Sequence, residues 1–217
     1  DVTASYGLGV RLDDADPGLV GIANGGKRTS ANQYDGTLNY DEGVFSNALR
    51  LNTDLTLAWR QFGAYVRGFA FYDYENQRQE RARTPLSDDG KDSVGKDADL
   101  LDHYVSMHQT VRGIPVLFRL GDQVVNWGEA TFIQGINILN PIDVSAFRRP
   151  GAEIKEGLLP VSMFTLSAGL TDALSVDIFY QLDWEKTVID GCGTYFSSAD
   201  VAALAARGIA SQHLSAR

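Results

Sequence analysis

Polar and apolar residues alternate along two stretches of the chain. In RLNTDLTLAWR (50–60), one face would carry Leu51, Thr53, Leu55, Leu57 and Trp59, and the other Asn52, Asp54, Thr56, Ala58 and Arg60. In LSVDIFYQLDWEK (174–186), one face would carry Leu174, Val176, Ile178, Tyr180, Leu182 and Trp184, and the other mostly acidic and polar residues. Side chains of a β-strand point to opposite faces in turn. Each stretch therefore predicts a strand with one apolar and one polar face.

Less regular alternation predicts five more strands. The seven predicted strands lie near residues 4–12, 44–60, 62–74, 103–113, 114–127, 156–170 and 174–186. Tight connections and long ones alternate between them. Outer-membrane barrels have short turns on the periplasmic side and long loops outside. The pattern predicts an all-β fold: an antiparallel up-and-down transmembrane β-barrel with long extracellular loops.

Composition narrows the class of protein further. Of the 217 residues 44% are hydrophobic, 22 are glycine, and the formal net charge is -9. A chain this acidic repels phosphate backbones, so nucleic acid is not an expected partner. No apolar run reaches the roughly 18 to 20 residues that a spanning helix needs. A closed barrel crosses a membrane without one.

Several segments together resemble a family of proteobacterial outer-membrane proteins that is catalogued as domain of unknown function 1302. They are GIANGG, DGTLNYDEG, FGAYVRGFAFYDYE, the stretch LGDQVVNWGEATFIQGINILNPIDVSAFRRPGAEIKEGLLPV and LTDALSVDIFYQLDWEKTVIDGCGTYFSSAD. The resemblance implies a porin-like barrel in the bacterial outer membrane, in contact with outer-membrane lipid and lipopolysaccharide. It also implies periplasmic and inner-membrane transport partners for hydrophobic compounds.

The chain is expected to be the N-terminal part of one larger barrel domain. Members of the family it resembles are more than twice as long, and up-and-down barrels of the outer membrane normally have an even number of strands. Seven predicted strands over 1–217 would therefore be completed by further strands, either of the same polypeptide or of another chain.

The connection 128–155 is the first candidate for a functional element. Its first half is apolar and its second half is charged. An apolar loop is costly in water, so we expect it to fold inward and narrow the pore. The charges that would then line a constriction are Arg148, Arg149, Glu153, Lys155 and Glu156. The alternative is a packed external loop whose charges face solvent.

The polar faces of the strands supply a second group of candidates. The charged residues predicted to look into the lumen include Arg67, Arg112, Arg119, Asp177 and Asp183. Mixed charges on neighbouring strands usually form cross-strand pairs that brace the wall. Selectivity for solutes is the alternative role.

Catalysis and metal binding are not expected. Ser106 and His108 share a face near Asp102, but residues two apart on a strand lie roughly 7 Å apart, too far for a nucleophile and its base. Cys192 is the single cysteine, and the three histidines lack metal-ligand spacing. The sequence predicts a porin-like channel for small or hydrophobic solutes, without a cofactor. The alternative is a plugged barrel that docks the partners of an envelope transport system.

Overall fold

Seven antiparallel strands form one sheet in the computed structural model, which describes residues 1–29, 36–78, 80–81, 83, 85–86, 88–125 and 139–197. The strands are β1 (Val2–Arg11), β2 (Gly43–Trp59), β3 (Phe62–Asp73), β4 (Lys96–Val111), β5 (Ile114–Gln123), β6 (Val161–Thr171) and β7 (Leu174–Gln181). Each strand pairs with the next one along the chain, in the order β1 to β7. The all-β, up-and-down arrangement that the alternation predicts is confirmed.

Three short helices and three 3₁₀ turns lie in the described parts of the connections. The helices are α1 (Tyr74–Arg78), α2 (Asp88–Val94) and α3 (Val144–Arg148), and the 3₁₀ turns are Ile22–Asn24, Gly36–Asn39 and Ile154–Gly157. In the described part of the chain, no helix has the length and apolar character needed to cross a membrane. The short turns at 60–61, 112–113 and 172–173 lie at one end of the sheet, and the long connections lie at the other.

The sheet has one apolar and one polar face, as the alternation predicts. Directly paired residues share a face, so the register places Leu55 with Val66 on the apolar side and Asp54 with Arg67 on the polar side. Leu55, Ile178 and Leu182 are 51%, 53% and 57% exposed. The apolar face is therefore not the core of a two-sheet sandwich. Buried apolar side chains lie instead on the polar face and under the connections, among them Phe71, Ala146, Val161 and Met163.

Several predicted strand ends are wrong. The strand predicted over 103–113 begins at Lys96, because residues from Lys96 onward pair with β3. Pairing with β5, on the other side, begins only at His103. The strand predicted from 156 begins at Val161, since a 3₁₀ turn occupies Ile154–Gly157. The strand predicted to reach 186 ends at Gln181, which pairs with Met163, and one further hydrogen bond runs from the Leu182 N–H to the Ser162 carbonyl at 2.8 Å.

Two of the predicted stretches are only partly described. The end of the fifth predicted strand (126–127) and the first part of the connection expected to fold inward (128–138) lie outside the described residues. The remaining part of that connection is described and is central to the site.

Candidate functional site

Residues 139–159, which we call the covering segment, pack on the polar face of the sheet. The segment starts helix α3 with Asp143, whose carboxylate accepts a hydrogen bond from the backbone N–H of Ala146 at 3.1 Å. Farther on, Glu153 and Glu156 form a capping box around the 3₁₀ turn, with the Glu153 N–H donating to Glu156 Oε1 at 3.2 Å. These local bonds fix the shape of the segment before it meets the sheet.

A buried ion pair joins the covering segment to strand β2. Arg50 donates to the carboxylate of Glu156, and the two side chains are 1% and 2% exposed. Asn52, two residues along the same face, donates to the other Glu156 oxygen at 3.1 Å. We call Arg50, Asn52 and Glu156 the clamp. Because a buried charge is stable only when it is paired and hydrogen-bonded, the clamp specifies one position for the segment.

Close packing reinforces the clamp. A Cβ atom added to Gly7 would lie 2.2 Å from the carbonyl oxygen of Pro150, so the segment touches the backbone of β1 directly. The guanidinium of Arg149 lies 4.3 Å from the ring centroid of Phe71 and donates to Asp143 at 3.1 Å. Burial lowers the pKa of the Arg149 guanidinium from its ordinary value, and the carboxylates of Asp143 and Glu156 oppose that shift.

A second charged network crosses strands β2, β3 and β4. Arg67 Nε donates to Asp54 at 2.7 Å, and Arg67 Nη1 lies 3.5 Å from Asp102. The Tyr65 hydroxyl donates to the same Asp54 carboxylate. The network braces three neighbouring strands, which is the structural role that mixed charges on a wall usually have.

A third group lies beside an open cavity on the polar face of β5 to β7. The cavity has a volume of about 560 Å³, and Arg119, Thr165, Ser167 and Asp177 are among its lining residues. The guanidinium of Arg119 lies 5.2 Å from the ring centroid of Tyr104. In the described residues neither Arg119 nor Asp177 forms an ion pair, so both charges face the cavity unneutralised.

The predicted site residues therefore separate into groups. Arg149, Glu153 and Glu156 lie in the covering segment, and Arg67, Arg119 and Asp177 lie on the polar face, as expected. Arg148 pairs with Asp190 and donates to the carbonyl of Phe196 at 3.2 Å, while Lys155 is exposed. Burial raises the pKa of the Asp190 carboxyl, and Arg148 partly offsets that rise.

Two predicted positions are wrong. Arg112 is exposed in the turn between β4 and β5 and has a positive φ of 53°, so it does not lie on the face of a strand. Asp183 follows the end of β7, is exposed, and accepts a hydrogen bond from the N–H of Trp184 at 2.7 Å. In both cases the alternating sequence pattern continues beyond the last residue that pairs with a neighbouring strand, so the predicted strand is too long.

Sequence reasoning missed the clamp residue Arg50. A signal was available, because Arg50 precedes Asn52 by two residues in the same alternating register. Its partner Glu156 lies 106 residues away along the chain, and no local pattern connects the two. The bond from Arg149 to Asp143 likewise depends on how the covering segment folds.

The fold and the site together define an all-β, up-and-down antiparallel sheet whose polar face holds charged networks and whose apolar face is exposed. The model of the family described as Protein of unknown function (DUF1302) matches residues 1–216. The chain belongs to this family, and the resemblance of its sequence segments is confirmed. No curated protein and no solved structure matches the chain.

Proposed function

We propose that this chain forms part of a bacterial outer-membrane β-barrel that conducts small or hydrophobic solutes through a lumen narrowed by the covering segment. The single observation that carries the proposal is the contrast between the two faces of the sheet. One face exposes leucine, isoleucine, valine and aromatic side chains, and the other carries the clamp and the Arg67 network. Hydrocarbon outside and water inside would account for both faces.

Strand length and aromatic positions support a membrane barrel. Six of the strands have 10 to 17 residues, and a tilted strand needs about 9 to 11 to span a membrane. Trp59 and Phe62 are exposed beside the turn between β2 and β3, and Tyr72 and Tyr74 are exposed near the opposite end of β3. Aromatic residues at both ends of the strands fit the two interfacial girdles of such barrels.

Closure requires strands beyond the seven in the sheet. The strands are neighbours in sequence order, so β1 and β7 are the two outer strands. In our proposal, further strands join these edges, the short turns face the periplasm, and the long connections face outward. The charges of the covering segment and of Arg67, Arg119 and Asp177 then filter solutes electrostatically.

A plugged barrel is the second candidate, and the clamp favours it. Arg50 and Glu156 are almost completely buried, and the covering segment packs on the backbone of β1 at Gly7. A segment held this firmly at the end with the long connections could seal the lumen. The protein would then act as a structural or docking component for periplasmic and inner-membrane transport partners.

Single-channel conductance of the full-length protein in a planar bilayer separates the two candidates. The wild type is expected to conduct, and Gly7→Ala is expected to increase the conductance at least twofold, since the added Cβ would push the covering segment off β1. Gly169→Ala is the matched control, because its Cβ would meet only Pro115 at an ordinary 3.6 Å. Absence of current in the wild type and in Gly7→Ala would refute conduction and favour the plugged barrel.

A further inference from the structure

Two tyrosines and an arginine line up across three strands of the polar face. Tyr65 on β3 and Tyr104 on β4 are directly paired, and their ring centroids lie 5.4 Å apart. On β5, the Arg119 guanidinium lies 5.2 Å from the Tyr104 ring centroid. We call these three residues the tyrosine–arginine row. The row places aromatic rings next to a cation. This combination suits a ligand that has a flat apolar ring and a negatively charged group.

The backbone makes room for the row. Gly121 pairs directly with Tyr104 and has φ of 135°, a conformation that favours glycine. A Cβ at this position would lie 2.8 Å from Tyr104 Cα and 2.5 Å from the carbonyl oxygen of His103. Gly121 therefore places no side chain of its own beside Tyr104, and Arg119 is the β5 residue that contacts the ring.

Arg119 differs from the other arginines in the described strands. Arg11, Arg50 and Arg67 each have a carboxylate within ion-pair distance, whereas Arg119 has none among the described residues. It is half-buried and contacts the cavity of about 560 Å³ on β5 to β7. That volume lies within the range of roughly 300 to 1,000 Å³ that is usual for small-molecule sites. A guanidinium offers a planar fork of donors that matches a carboxylate.

The opposite side of the cavity limits the charge of a ligand. Thr165 and Ser167 supply hydroxyl groups, and Asp177 lies on the next strand, opposite Ser167. The carboxylate of Asp177 is exposed and has no ion-pair partner in the described part of the chain. It would repel a second negative charge on the ligand.

We propose that the tyrosine–arginine row and this cavity bind aromatic monocarboxylates, with the carboxylate on Arg119 and the ring against Tyr104. The inference rests on the proposed function, because it names the class of solute that the lumen selects. Binding itself does not need conduction, so the two ideas can fail separately.

Equilibrium binding to the full-length protein in detergent tests the proposal, with calorimetry as the readout. Benzoate is the probe, acetate lacks the ring and benzyl alcohol lacks the charge. Wild-type protein is expected to bind benzoate about tenfold more tightly than either control ligand. Arg119→Gln should weaken benzoate binding about tenfold and leave benzyl alcohol unchanged, and Arg119→Lys should have a smaller effect. Asp177→Asn should tighten benzoate binding two- to threefold, as a rough estimate, because it removes a repelling charge.

Arg112→Gln is the matched control, since it removes the same charge from an exposed turn. The proposal is overturned if benzoate binds no better than benzyl alcohol, or if Arg119→Gln behaves like Arg112→Gln. Current in the bilayer without benzoate binding would leave conduction standing and refute this inference. Benzoate binding without current would support the inference and refute conduction.

Discussion

The clamp shows how one pair of charges can position a whole segment. Arg50 belongs to strand β2 and Glu156 to the covering segment, and both side chains lose nearly all contact with solvent when they meet. Removing two charges from water costs several kcal/mol each, and the attraction between them returns that cost only in one geometry. The pair therefore contributes little net stability but strongly disfavours other positions of the segment.

Breaking the pair at one end should be costly. Glu156→Gln is expected to lower the free energy of unfolding by about 3 to 5 kcal/mol, because Arg50 would stay buried without a counter-charge. Replacing both residues, with Arg50→Met and Glu156→Leu, should recover most of the loss. Urea unfolding of the protein in lipid vesicles, followed by tryptophan fluorescence, measures both effects. Lys155→Gln, at an exposed neighbouring position, is the control and should change stability by less than about 0.5 kcal/mol. A Glu156→Gln variant as stable as this control would contradict the role of the clamp.

The sheet is built from hairpins, and the turns of two of them contain a non-glycine residue in the left-handed conformation. Arg60 and Arg112 are the non-glycine residues with positive φ among those described, at 55° and 53°. Arg112 is followed by Gly113, with φ of 86°, in the turn between β4 and β5. Two positive φ angles in a two-residue turn match the type that prefers Asn-Gly.

Arg112→Asn should therefore stabilise the protein by about 0.5 to 1 kcal/mol, because asparagine tolerates the left-handed conformation better than arginine does. The expected result is a higher urea midpoint with an unchanged slope. Asp172→Asn introduces the same residue into the turn between β6 and β7, where no positive φ occurs, and should have no such effect. Equal midpoints for the two variants would mean that the turn at Arg112 is not strained.

At the level of elements, period-two alternation was enough to predict seven strands and their faces. The alternation did not predict the strand ends correctly, because cross-strand pairing determines where a strand begins and ends. Strand β4 begins with Lys96, Asp97 and Ala98, a charged sequence that is typical of a loop. Farther on, an irregularity in the pairing with β3, between Val66 and Gly68, interrupts the alternation. The connection 128–155 was predicted to fold inward because its first half is apolar. The contact of the covering segment with Arg50 joins residues 106 apart, and only the folded sheet reveals it.

At the scale of the whole molecule, the exposed apolar face must be explained. Soluble monomers rarely expose a continuous apolar surface of this extent. Here the surface extends from β1 to β7, with Leu8, Leu57, Leu120 and Tyr180 each at least 49% exposed. In the described part of the chain no second sheet covers it, and the covering segment packs on the other face. In our proposal, lipid contacts this apolar face. Substitutions at two neighbouring residues of one strand can test this contact.

Leu55 and Thr56 are adjacent on β2 but point to opposite faces of the sheet. If lipid contacts the apolar face, Leu55→Lys should cost about 2 to 4 kcal/mol of folding free energy in vesicles, as charges near the middle of a bilayer do. Thr56→Lys places the same charge on the polar face and should cost less than about 1 kcal/mol there. Urea unfolding in vesicles of two lipid thicknesses gives both values. Equal costs at the two positions would show that the two faces meet similar surroundings, and the membrane barrel would have to be abandoned. A larger cost for Leu55→Lys in the thicker bilayer would show that hydrocarbon itself produces the difference, since a deeper charge is the more costly one.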